Sequence, residues 1–195
     1  MDVDTRIASA PAQSQEVAPD AAKAHRLPDV LRDRLDVIFV GTAAGHISAM
    51  LGIYYANRGN SFWHALQQVG LIPLRFAKED FSQLPNFGIG LTDLSKTACG
   101  ADKHIVVTQK DIDDFDKKMR TYRPRVIAFT GKKAASLWLH RRTGRLRYGL
   151  QKARVIEYCD VFVLTSPSPA ARRWWSLEPW HELADWLRAV TPRRR

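Results

Sequence analysis

The chain has 195 residues, 45% hydrophobic and 26% charged, and its 30 Lys and Arg against 20 Asp and Glu give a formal charge of +10. That is the length and composition of one soluble domain that buries its own core, and no apolar run reaches the roughly 20 residues of a membrane helix. Two cysteines, Cys99 and Cys159, are too few for a four-thiolate metal site, so no metal or other cofactor is expected.

The opening MDVDTRIASAPAQ lacks a basic head followed by an apolar block, which is not the pattern of a secretory signal and predicts a cytoplasmic protein with reduced, buried thiols. Residues 1–26 are rich in Ala and Pro and hold four acids and three bases, predicting a disordered arm and leaving +11 for the rest. Asp36–Gly41 is a β-branched apolar run closed by glycine, the pattern of a buried parallel strand. A helix follows over Ser61–Val69, with Phe62, Leu66 and Val69 on one face, and then a strand over Asn86–Leu91. Thr108 caps a predicted helix reaching Tyr122, Arg125–Thr130 reads as a strand, and Lys132–Leu139 as a helix. A fourth strand, Asp160–Thr165, precedes a helix over Leu177–Val190 with Leu183, Trp186, Leu187 and Val190 as its apolar stripe. Trp174, Trp175, Trp180 and Trp186 are expected to pack that helix against the sheet. Residues 191–195 form a basic tail.

This alternation predicts an α/β fold, a three-layer sandwich in which helices flank a mostly parallel four-stranded central sheet, as one domain over residues 27–190. In such folds ligands bind beyond the carboxyl ends of the strands, here Gly41–Gly45, Gly90–Asp93, Thr130–Lys133 and Thr165–Arg173. Charge favours a polyanionic ligand: between Lys117 and Arg154 lie 13 bases and no acid. Several chemistries are unsupported. Gly41-Thr-Ala-Ala-Gly45 has the wrong spacing for a dinucleotide loop, and Gly131-Lys132 has Val126 and Lys133 where a P-loop needs Gly and Ser or Thr. The six histidines form no metal-binding spacing, and no G-x-S-x-G elbow is present.

Six segments in order carry a resemblance over residues 27–190: Leu27-Pro-Asp with Leu35–Gly41, Tyr54-Tyr55 with Gly59-Asn-Ser-Phe-Trp63, Gly88–Asp93, Ala128–Lys132, Tyr148-Gly-Leu-Gln151, and Thr165–Arg172. Together they resemble the mismatch-specific uracil/thymine-DNA glycosylases of the uracil-DNA glycosylase superfamily. The resemblance implies an enzyme that flips a damaged base out of DNA and hydrolyses its N-glycosidic bond, with DNA as partner and no strand cleavage. It implies that Tyr55 stacks on the flipped base and that Gly41, Thr42, Ala43 and Gly45 bring backbone N–H groups to it. Ser48 aligns near the base pocket, and Asn60 braces the pocket loop with Asn57 in reserve. Lys132 follows the third strand. Ser166 and Ser168 are expected to bond phosphates, while Pro169, Ala170, Ala171, Arg172 and Arg173 enter the space the base vacates.

One departure from the family pattern matters for chemistry. The family motif after the first strand reads Gly-x-Asn-Pro-Gly, whose Asn positions the attacking water, and here Ala43 stands in that place. Asp93, ending the second strand beside the first, is the candidate to take over, since a carboxylate both orients water and stabilises an oxocarbenium-like sugar. Glu79 and Asp80 have no counterpart. Three readings stay open: a monofunctional uracil-DNA glycosylase, a module that recognises uracil or abasic sites without cleaving, and a basic domain binding RNA or another anion.

Overall fold

The computed structural model describes residues 27–152 and 156–190; the predicted arm, the basic tail and Arg154 lie outside them. Five strands form one sheet in the order β2-β1-β3-β5-β4. They are β1 (Val37–Gly41), β2 (Ile89–Asp93), β3 (Val126–Phe129), β4 (Gly149–Leu150) and β5 (Asp160–Val163). Three of the four strand pairings are parallel, and β4 alone runs antiparallel, at the edge.

Side chains alternate across each strand, so one run of apolar residues serves two cores. Val37, Phe39, Leu91, Ala128 and Phe162 face α2 (Phe62–Gln68) and α5 (Glu178–Val190). Ile38, Val40, Ile127, Phe129 and Val161 face α3 (Gln109–Tyr122) and α4 (Lys132–Trp138). The three-layer sandwich expected from the sequence is the fold. Trp180 anchors the first core, stacked on Phe39 at 5.8 Å and donating from Nε1 to Thr165 Oγ1 at 3.1 Å. Thr108 caps α3 as expected, in a reciprocal box with Asp111.

The sheet has five strands rather than four. β4 is only two residues long, and Gly149 sits at φ 88, so it carries no alternation to read. Strand β2 begins at Ile89, because Asn86 and Phe87 belong to 3-10 turns over Lys78–Phe87 that Gly88 ends in the left-handed region. A six-residue helix, α1 (His46–Leu51), was too short to leave a period in the sequence. Cys159 is buried and its thiol is pushed up to about 12 by desolvation, whereas Cys99 is half-buried rather than buried; both are free.

The outer edge of β2 is partly covered. Val30 exchanges two backbone hydrogen bonds of 2.9 Å with Leu91, and Gly90 admits this close approach, since a Cβ there would lie 2.9 Å from the Val30 carbonyl oxygen. Asp29 is thereby set beside β2.

Candidate active site at the strand ends

The chain leaves β1 for β2 on one side and reaches β3 on the other, so the crevice beyond β1 and β3 is the topological switch point where such sheets bind ligands. Gly41, Asp93, Thr130 and Thr165 end or follow the four parallel strands there.

Gly41 and Asp93 are paired in the β1–β2 register, with their side-chain directions on the same face. A Cβ on Gly41 would lie 2.3 Å from Asp93 Oδ1 and 3.7 Å from the Tyr55 hydroxyl oxygen. The carboxylate therefore rests on the glycine backbone, in space only a glycine leaves, with Tyr55 closing over it. Asp93 is 4% exposed, and no protein hydrogen bond to its carboxylate forms among the described residues. Desolvation raises its pKa to about 6, against the pull of Lys96. At neutral pH it is mostly ionised yet basic enough to accept a proton, the condition for a general base.

Tyr55 sits at φ 53 with its ring stacked on Phe62, centroids 3.8 Å apart, and its hydroxyl 3.2 Å from Thr130 Oγ1. Burial, and then the charge of Asp93, push its phenol above the usual range, so it stays neutral. Ser48 is buried and accepts the Ala56 N–H at 3.1 Å, which braces the segment carrying Tyr55. Asn60 accepts the Phe62 N–H at 3.0 Å, and the exposed Asn57 accepts that of Gly59, so both shape the same loop.

After β1, the carbonyls of Gly41, Thr42 and Ala44 accept N–H groups of Leu94, Ser95 and Gly100. The N–H groups of Thr42 and Ala43 have no protein acceptor among the described residues. Ala43 is half-buried and Gly45 exposed.

The loop after β5 is docked onto the Tyr55 side of the site. Ser61 N–H donates to the Pro167 carbonyl at 2.9 Å, and a Cβ on Gly59 would stand 3.0 Å from Pro169 Cγ. Ser166 and Ser168 are half-buried, with Ser166 Oγ 3.4 Å from the Ser168 nitrogen and Gly131 packed beside it. Pro169–Trp174 is a 3-10 turn; it exposes Pro169, Ala170, Arg172 and Arg173, while Ala171 is half-buried. Lys132 opens α4, half-buried, its ammonium 4.3 Å from the Tyr148 ring centre.

Four residues given no part in the site from the sequence belong here. Lys96 and Tyr54 are buried beside Asp93, Asp29 bonds to Lys96, and Trp174 is 55% exposed under the Arg173 guanidinium at 3.7 Å. Trp174 does not pack α5, unlike Trp175, Trp180 and Trp186.

A groove of about 570 Å³ lies elsewhere, between α3 and α4, lined by Gln109, Asp113, Asp116, Arg120, Trp138 and His140. None of Gly41, Tyr55, Asp93 or the loop after β5 lines it. Among the described residues no three His, Cys, Asp or Glu side chains converge to hold a metal ion.

This fold, with an acid and a tyrosine buried at its switch point, is that of a DNA repair family: residues 28–189 match the uracil DNA glycosylase superfamily, and the chain belongs to it. Among solved structures it is similar to a Methanosarcina acetivorans protein, determined by solution NMR and provisionally named a uracil DNA glycosylase. The two share 25% identity at a TM-score of 0.59, over 85% of this chain and 98% of that one.

Proposed function

We propose that the protein is a monofunctional uracil-DNA glycosylase of the mismatch-specific type, acting on uracil and related damaged pyrimidines in cytoplasmic DNA, notably in G·U pairs. The observation that carries this reading is the Asp93 carboxylate, 4% exposed, held against Gly41 beside the Tyr55 hydroxyl. A base must leave the stack to reach it, which costs roughly a few kcal/mol and least for a mismatched base. Tyr55 then lies against the flipped uracil, and the N–H groups of Thr42 and Ala43 meet its carbonyl oxygen. Asp93 orients a water toward C1′ and opposes the positive charge that builds on the sugar. The water oxygen bonds to C1′, the C1′–N1 bond breaks, and its electron pair leaves with the uracil as an anion. The water's proton passes to Asp93, and the product is an abasic site. No lysine adduct takes part, so borohydride should trap no protein–DNA complex.

A second reading, a module that binds uracil or abasic sites without cleaving, draws on Ala43, whose methyl cannot hold a water where the related enzymes carry Asn. Single-turnover incubation with G·U, A·U and G·C duplexes, followed by alkaline cleavage of abasic sites, separates the two. The glycosylase reading expects cleavage at uracil, fastest in G·U. Selective retention of the G·U duplex without abasic product would establish the binding module instead.

A further inference from the structure

The buried charges around the outer edge of β2 do not balance by themselves. Asp29 is shared by two ammonium groups, its Oδ1 2.8 Å from Lys96 and its Oδ2 2.5 Å from Lys118 on α3. Thr92 donates a further hydrogen bond to Asp29 Oδ1 at 2.6 Å. Lys96 reaches round the strand end to the pocket side, where its ammonium donates to the Tyr54 hydroxyl at 2.9 Å and lies 5.5 Å from that ring's centre. One carboxylate thus serves two cations, and Lys96 is only 9% exposed. Leaving a net positive charge in such a place is costly unless another anion faces it. The other buried carboxylate at this strand end is Asp93, three residues before Lys96.

We propose that the Lys96–Asp29–Lys118 cluster is a positioning device that holds Asp93 as a carboxylate, its surplus ammonium charge countering the apolar burial of the pocket. The inference rests on the reading of Asp93 as the acid that orients water. The groups whose charges act on Asp93, or on which its charge acts, are Lys96 from the loop after β2, Asp29 from the segment along that strand, Lys118 from α3, Asp102 from the turn before α3, and Tyr54 and Tyr55 from the loop before α2. Strand β1 contributes only Gly41. Burial raises the Asp93 pKa, Lys96 and Lys118 draw it down, and Asp29 and Asp102 oppose them. Both tyrosines are held neutral by burial and by the Asp93 charge, so they add no countercharge. Without the cations the carboxyl would be protonated near neutrality, and a protonated acid neither accepts from water nor opposes a cationic sugar. The Lys96 ammonium is committed to Asp29 and Tyr54, which makes it a poor nucleophile and fits a supporting part.

The alternative is that the cluster merely staples the Asp29 segment and α3 to β2. The pH profile of single-turnover uracil excision tells the two apart, read beside the Asp93 carboxyl titration followed by 13C NMR. In Lys96→Met the acid limb and the Asp93 midpoint should both rise by about one pH unit, with the rate recovering at high pH. Lys96→Arg should keep the original profile, and Lys118→Met should shift both readouts the same way by less. Should Lys96→Met fail to fold, Lys118→Met carries the test. Folded variants whose Asp93 midpoint stays put, with activity lowered equally at every pH, would overturn the proposal. Full activity in Asp93→Asn would instead overturn the reading of Asp93, and the NMR midpoint would still decide the electrostatic claim.

Discussion

At the scale of single residues, the site stands on a buried carboxylate in a place only glycine can vacate. The Asp93 pKa is raised, so proton binding favours the folded state between the ordinary carboxylate range near 4 and about 6, and stability falls as pH rises through that window. Asp93→Asn removes the cost of the buried charge. It should stabilise the protein at pH 7 by on the order of 2–3 kcal/mol, seen as a higher denaturant midpoint, and flatten that pH dependence. Gly41→Ala should do the reverse of help: its methyl would lie 2.3 Å from Asp93 Oδ1 and must push the carboxylate aside. Excision is expected to fall by about a hundredfold with uracil-DNA binding little changed, because a shift of about 1 Å in a catalytic group has that effect. The place of Asp93 was legible in the sequence, because a lone acid ends a strand expected beside the glycine that ends the first. Lys96 was not, because nothing in a linear sequence tells a buried lysine from a solvated one.

Among elements, the short apolar runs of the four strands and the helical stripes between them told the sheet and its two helical layers, since strands buried on both faces read as continuous apolar runs. What they missed were pieces too short for a period, β4 and α1, and the 3-10 turns after α2. The acid-free stretch Lys117–Arg154 is also less than it looked. β3 runs through its middle, so its bases fall on different sides of the molecule, and several meet acids distant in sequence: Lys118 meets Asp29, and Arg125 stands 3.9 Å from Asp36 at the opposite end of the sheet. Arg120 pairs with Asp116, Arg123 covers the Tyr158 ring at 4.1 Å, and Lys133 donates to the Ile105 carbonyl at 3.0 Å. Of the stretch, Lys132 stands at the strand ends, joined there by Arg172 and Arg173 from the turn after β5. Changing each of these three to Gln should reduce the slope of log affinity against log salt by about one, whereas Arg123→Gln and Arg125→Gln should leave it unchanged. Titrations at several salt concentrations give these slopes. The 3-10 turn also raises Trp174 into solvent beside Arg173, a rigid aromatic face next to the expected DNA path. Trp174→Ala should weaken binding by roughly 1–3 kcal/mol and Trp174→Phe by less, as base stacking requires.

For the whole molecule, the Asp29 cluster joins three parts of the fold: the segment before β1, the edge strand β2 and α3. Burial opposes the Asp29 charge, but Lys96, Lys118 and Thr92 more than offset it, and its pKa is lowered. A depressed carboxylate contributes stability that is present above the ordinary carboxylate range and lost as pH falls through its folded value. Acid unfolding below pH 4 should therefore be steep. In Asp29→Asn it should be shallower, with a loss on the order of 1–3 kcal/mol at pH 7, because the buried Lys96 and the half-buried Lys118 ammonium lose their carboxylate while Lys96 keeps the Tyr54 hydroxyl. Asp29 and Asp93 thus pull stability in opposite directions with pH, one serving the fold and the other the proposed chemistry.

The central claim is that Asp93 does the work an Asn does in the related enzymes. It is tested most directly by single-turnover excision of uracil from a G·U duplex, comparing wild type with Asp93→Asn from pH 5 to 9. Wild type is expected to form abasic product with a rate that rises through about pH 6 to a plateau, and Asp93→Asn to be slower by roughly a hundred- to ten-thousandfold with no such rise. Equal rates in the two proteins, or a wild type that binds uracil-DNA and releases no base, would contradict it.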